Sequence, residues 1–190
     1  MARRPTPDLS RDRIVDEAIA LLDEDGAASL SMRRLAARLG TSTMSTYHHL
    51  ADKNALIDAI AERIIGQLAR PAPDAPWDEA VRAMAWSFRE LTLAHPAAFR
   101  VFLIGEMPTP LLRTADDVIA LLEGGGFGTD DAVLVFRTFI RYLVGSTVAD
   151  QGAFGTARPD RRQASQSESQ FRYGLEALIA GVGATARLQR

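Results

Sequence analysis

The chain has 190 residues, 47% hydrophobic and 24% charged, with a formal net charge of −2. That composition excludes disorder as the main state and supplies ample core for one large helical domain or a small and a larger one. The charge excludes indiscriminate nucleic-acid binding but leaves room for a local basic patch, and the lack of cysteine excludes disulfides, thiolate metal sites and a cysteine nucleophile.

The opening MARRPTPDLSRDR reads as a loose basic arm carrying Arg3 and Arg4, and it lacks the apolar stretch of a signal peptide. Ser10 is an N-cap for a first helix whose stripe is Ile14, Val15, Ala18, Leu21 and Leu22, stopped at Asp25-Gly26. Ser31 caps a second helix with Leu35, Ala36 and Leu39 on its buried side. Gly40 permits a turn, and Ser42 caps a third helix over roughly Thr43 to His49, held inward by Leu50 and Met44. Asp52 caps a fourth, long helix in which Leu56, Ile57, Ile60, Ile64 and Leu68 recur at helical spacing.

Pro71, Pro73 and Pro76 cannot continue a helix, so the domain boundary is placed there, dividing residues 1–70 from 71–190. A fifth helix follows through Val81, Met84, Ala85, Phe88, Leu91 and Thr92 to His95-Pro96, with Trp86 off that stripe, either exposed or facing another helix. Further helices are expected from Ala97 to Ile104, from about Leu111 to Glu123, and from about Asp130 to Asp150 with Thr129 as cap. Residues Gly152 to Ser167 read as a polar loop, with Ser165 and Glu168 as a capping box for a last helix through Phe171, Leu175, Leu178, Ile179 and Val182. The chain reads as all-α. The apolar run Ala132 to Ala149 is broken by Arg137 and Arg141, so no membrane span and a cytoplasmic protein are expected.

The stretch from Ser31 to Lys53 is chemically distinct. No acid occurs from Gly26 to Ala51, while Arg33, Arg34 and Arg38 do. The third helix carries Thr43, Ser45, Thr46, Tyr47, His48 and His49, short or planar hydrogen-bonding groups suited to base edges and phosphates and poor as helix formers. A helix-turn-helix that lays its second helix in the major groove uses such a pattern.

Residues 10 to 58 resemble the DNA-binding domain of the tetracycline-repressor (TetR) family, through LSMRRLAARLG, Ser42, the Tyr47-His48-His49 centre and Asp52-Lys53 with Leu56. Thr41 and Thr46 depart from the usual apolar residues at their positions, though each keeps a methyl that packs. The resemblance implies DNA contacts from Ser31, Arg33, Thr43, Ser45, Tyr47, His49 and Lys53, and Ser42 and His48 are expected to join them. PWDEAVRAMAWSFRELTLAHPAAF and the closing FRYGLEALIAG resemble the family's ligand-binding domain more loosely. Together they imply an N-terminal three-helix DNA-binding domain, a C-terminal ligand-binding and dimerisation domain, and a homodimeric repressor. Such a repressor leaves a palindromic double-stranded operator when a small-molecule effector moves the fourth helix.

The resemblance implies an effector pocket. Met84, Phe88, Phe99, Phe102, Met107, Phe136 and Phe139 suit its walls, with Arg137 or Arg141 for polarity, although each apolar one suits plain core packing as well. The helix from Asp130 to Asp150 is apolar nearly all round, so one face calls for a partner. Val135, Phe139 and Tyr142, with Phe171, Leu175, Leu178 and Val182 of the last helix, are expected to form a four-helix dimer interface, Gly145 and Gly174 allowing close approach. Tetracycline-binding relatives hold a magnesium complex through polar groups that correspond here to Phe102, Ala69, Met84 and Ala149. A more apolar effector, with no metal and no cofactor, is therefore expected. GGGFG lacks a following lysine and is a helix stop, and Asp116-Asp117 diverge on a solvated face. The rivals are an all-α enzyme or carrier, which lacks a nucleophile–base pair, and an interaction module with a degenerate helix-turn-helix.

Overall fold

The computed structural model describes residues 9–72, 74–150 and 161–188, among which there are helices and turns but no strand. The basic arm with Arg3 and Arg4, Pro73, and the part of the expected polar loop at 152–160 lie outside the described residues. The chain forms two compact units. One runs to Gly66 and takes in His95–Leu111; the other comprises Gln67–Ala94 and the chain from Leu112 onward.

The first unit contains α1 (Arg11–Asp25), α2 (Met32–Arg38), α3 (Thr43–His49), α4 (Lys53–Ile65) and α6 (Pro96–Ile104). The four expected N-caps all form. Ser10, Ser31, Ser42 and Asp52 accept from the backbone N–H three residues on, at 3.2, 3.3, 3.1 and 2.7 Å. Gly26, at φ +80, ends α1 with its N–H on the Leu22 carbonyl. Ile14, Ala18 and Leu22 of α1, Leu35 of α2 and Leu56, Ile60 and Ile64 of α4 are wholly shielded. α4 stops at Ile65, short of the expected Leu68, with Gly66 as its C-cap. The fourth helix is thus short and lies within the first unit.

Sequence placed α6 with the C-terminal domain, but it packs on α1 and α4. Its Ala98, Phe99 and Phe102 are buried, and the two rings meet edge to face at 5.5 Å. Pro96 opens this helix one residue earlier than expected, at the position where its missing N–H costs nothing.

The second unit contains α5 (Trp77–Ala94), all but the start of α7 (Thr109–Gly124), α8 (Thr129–Asp150) and α9 (Arg161–Leu188). Its core is Val81, Ala85, Leu122, Ala132, Phe139, Phe171, Leu175 and Ile179. Trp86 faces α9, its ring 4.8 Å from that of Phe171. α8 opens with the Ala132 N–H on the Gly128 carbonyl, one residue before the expected cap Thr129. α8 is long and apolar enough to pass for a membrane-crossing helix, yet Arg137 and Arg141 are exposed on it and its buried residues enter the unit's core.

The largest departure is α9, which already runs from Arg161, so Ser165 and Glu168 are interior residues and not a capping box. No Gly or Pro interrupts 161–173, and the Ser169 hydroxyl turns back onto the helix itself, donating to the Ser165 carbonyl at 2.9 Å.

Candidate nucleic-acid interface and effector domain

α2 and α3 meet through a turn closed by Gly40 at φ +66, with the Gly40 N–H on the Ala37 carbonyl and the Thr41 N–H on that of Ala36. α3 is anchored by Leu50 and by Thr46, which is completely buried and donates its hydroxyl to the Thr43 carbonyl at 2.7 Å. Met44, expected to help anchor the helix, is 67% exposed. The reason is angular. Thr46 and Leu50 share one face at i, i+4, and a residue two before Thr46 stands roughly 200° away.

Tyr47, His48, His49 and Ser42 are exposed, while Ser31, Thr43 and Ser45 are partly so. Ser31 and Ser42 use their oxygens as helix caps, a role that accepts a hydrogen bond and does not consume the hydroxyl hydrogen. The Ser42 and Ser45 hydroxyls share a bond at 2.9 Å. The group is therefore a row of hydrogen-bonding side chains on α3 and its cap Ser42, joined by Ser31 at the start of α2.

The cations divide differently from the sequence expectation. Arg34 pairs with Asp25 at 2.7 Å. Arg38 forks onto both Glu24 oxygens at 2.7 and 2.8 Å and also contacts Glu17. Those hydrogen bonds hold the Arg38 guanidinium above its ordinary range and the Glu24 carboxyl below its own. Two of the three arginines thus fasten α2 to α1 and its C-terminal turn. Arg33 and Lys53 are exposed and make no ion pair among the described residues, so they are the charges left to face a polyanion.

In the effector region, the expected lining residues separate. Phe99 and Phe102 belong to the core of the first unit, where Met107 is 48% exposed. In the second unit, Phe88 is buried, Met84 and Phe136 are half-buried, and Phe139 is part of the core. Arg137 and Arg141 are exposed, which removes them as buried anchors. Among the described residues the buried cation is Arg89, which sequence reading missed. Its side chain is 8% exposed, lies 3.0 Å from Asp150, donates to Ser167 and stacks over Phe171 at 5.1 Å. Among the described residues its Nε and Nη1 have no hydrogen-bond partner. An arginine one residue after Phe88 in an apolar stripe was the only hint in the sequence. Sequence also gave no sign that Asp58 of α4 accepts from both the N–H and the hydroxyl of Thr109, each at 3.0 Å, and so caps the start of α7 from a distant helix.

The expected interface residues also divide. Phe139, Phe171 and Leu175 are consumed by the unit's own core. Tyr142 donates to the Phe171 carbonyl at 2.6 Å, and Gly174 is needed so that this ring can approach, since a Cβ there would lie 2.5 Å from its hydroxyl. Val135, Leu178 and Val182 instead line an open groove of about 400 Å³ between α8 and α9, beside Leu134, which is 60% exposed. Ala177, Gly181 and Thr185 bring small side chains to the same groove at four-residue intervals.

Residues 14–60 match the family model for bacterial regulatory proteins of the tetR family, and residues 70–170 match that for the tetracyclin repressor-like C-terminal domain. The chain belongs to the tetR family. Its relatives include an HTH-type transcriptional regulator of Saccharopolyspora erythraea, 28% identical over 98% of this chain and 89% of the relative. Among solved structures, a variant of TetR from Acinetobacter baumannii AYE in complex with minocycline aligns with a TM-score of 0.77 at 29% identity, covering 94% of this chain and 99% of that one. BioQ with its double-stranded DNA operator aligns with a TM-score of 0.71 at 29% identity, over 93% and 99%. Proteins of the tetR family are ligand-responsive DNA-binding transcriptional regulators that act as dimers, and this chain is one of them.

Proposed function

We propose that this chain is a cytoplasmic homodimeric repressor that holds a palindromic operator and leaves it when a small, mostly apolar effector binds. Residues 1–70 would carry DNA recognition and 71–190 ligand binding and dimerisation. The observation that carries the reading is α3: a buried anchor at Thr46 and Leu50 beneath an outward row of Tyr47, His48 and His49, with Arg33 and Lys53 free of acids. Arg33 reads or clamps, Lys53 and the Ser31 and Ser42 hydroxyls reach phosphates, and Thr43, Ser45, Tyr47, His48 and His49 meet base edges or the backbone. Met84, Phe88 and Phe136 supply effector contacts from the second unit. The groove of Val135, Leu178 and Val182 takes the second copy. The solved relatives with minocycline and with operator DNA support both halves of this reading.

A gel shift against the DNA flanking the protein's own gene tests it. A specific complex that resists scrambled competitor DNA is the expected result. Equal affinity for scrambled DNA, with no preference for a palindrome, would sink the proposal.

A further inference from the structure

We infer that Met44 reads thymine, packing its thioether against the 5-methyl group in the major groove and thereby fixing one base of each half-site. The inference rests on α3 being the helix that enters the groove. At 100° per residue, with Thr46 and Leu50 marking the inward direction, Met44 and His48 are the two outermost positions of α3. Ser45 and Tyr47 flank them. Met44 is 67% exposed, a large apolar side chain set among hydroxyls and imidazoles.

No core contact accounts for that placement. A protein-docking patch would need contiguous apolar surface, and α3 offers only the 42% exposed Tyr47 beside it. Base edges in the major groove present one apolar feature, the thymine methyl, and each other feature is a donor or an acceptor. An unbranched, polarizable side chain adapts well to such a small target. His48 follows one turn later, about 6 Å along the helix axis, which is close to two base-pair steps of roughly 3.4 Å. The thymine should therefore lie about two base pairs from the pair that His48 faces.

The experiment selects duplexes from a randomised pool with the full-length protein, then replaces the half-site thymine with uracil, removing only the methyl. Wild type should bind about fourfold more weakly per half-site, the transfer value of one methyl group, and about 15-fold more weakly with both replaced. Met44→Ala should bind the thymine duplex more weakly and be indifferent to uracil, while Met44→Leu should keep the sensitivity. Because Met44 is exposed, these variants should melt with the wild type. A pool from which no sequence emerges would overturn the DNA reading itself. A clear selected site at which wild type ignores uracil, or at which Met44→Ala remains equally sensitive to it, would overturn the role of Met44 alone.

Discussion

Leu178→Asp probes the surface proposed to join two copies. Leu178 is half-buried in one chain and lines the α8–α9 groove with Val135 and Val182. Completing the burial of a leucine that is already half covered is worth about 1 kcal/mol, and two-fold symmetry places two such residues in each dimer. Aspartate forfeits that gain and brings two carboxylates into a surface that must lose water, at several kcal/mol per ion. The total is at least about 6 kcal/mol, and at 1.4 kcal/mol per tenfold the dimer weakens by about 10⁴ or more. Binding to a palindrome should fall with it, since linked half-sites gain about 10²–10⁴ from simultaneous engagement. Sedimentation equilibrium at micromolar concentration should show monomers with unchanged far-ultraviolet circular dichroism, and the gel shift should disappear. A Leu178→Asp protein that stays dimeric, or a monomeric wild type with full operator affinity, would refute the reasoning.

Four other outcomes follow. Lys53→Ala should lower the salt slope of operator binding by about one unit and Arg33→Ala should weaken binding and relax its sequence preference, whereas Arg38→Ala should leave the slope intact, because its fork is spent on Glu24; titration over a salt series on operator and scrambled DNA separates them. Arg89→Met alone should cost about 3–5 kcal/mol in urea unfolding by stranding Asp150, while Arg89→Met combined with Asp150→Leu should recover most of that loss; equal costs for the single and double changes would mean that the pair is uncoupled. Glu176 is held below its ordinary value of 4.5 by hydrogen bonds from Arg82, so its contribution is complete above that value and fades as pH falls below it; Glu176→Gln should flatten melting temperature against pH in that acid range only. Calorimetry with tetracycline plus magnesium should show no binding, because Phe102, Ala69, Met84 and Ala149 offer a hard cation no oxygen from their side chains; a magnesium-dependent micromolar response would contradict this.

What was legible in the sequence was local. The caps at Ser10, Ser31, Ser42 and Asp52 act within three residues, and the stripes of α1, α4 and α5 depend only on the period of the helix. The same local logic misled at α9, where Ser165 and Glu168 fit a capping box although the helix was already under way. It also misled at Met44, since a seven-residue helix gives too little periodicity to tell its two faces apart. Long-range pairings left almost no trace. Arg34 and Arg38 looked free because their acids lie nine to 21 residues back on α1, Arg89 finds Asp150 across most of the second unit, and Asp58 caps a helix 51 residues away. The apolar residues of α8 and α9 could be named but not sorted, because a core face and an interface face have the same composition.

The pairing of Arg34 and Arg38 changes how the recognition helix should be understood. α3 has only Thr46 buried within its seven residues, so its own core contacts fix it weakly. Its position is inherited from α2, and α2 is tied to α1 by Leu35 and Ala36 inside and by the Arg38 fork and the Arg34–Asp25 pair outside. Exposed ion pairs add little stability, but a bidentate fork adds orientation, which is what a short reading helix needs. The acids on α1 thus hold α2 in place and at the same time subtract charge from the face that meets phosphate. With fewer free cations, non-specific affinity falls faster than specific affinity, because the former is almost entirely electrostatic and the latter also draws on base contacts. A slightly acidic chain can in this way favour its operator over bulk DNA: its local charge is spent on aiming the helix, and discrimination is left to the side chains that helix presents.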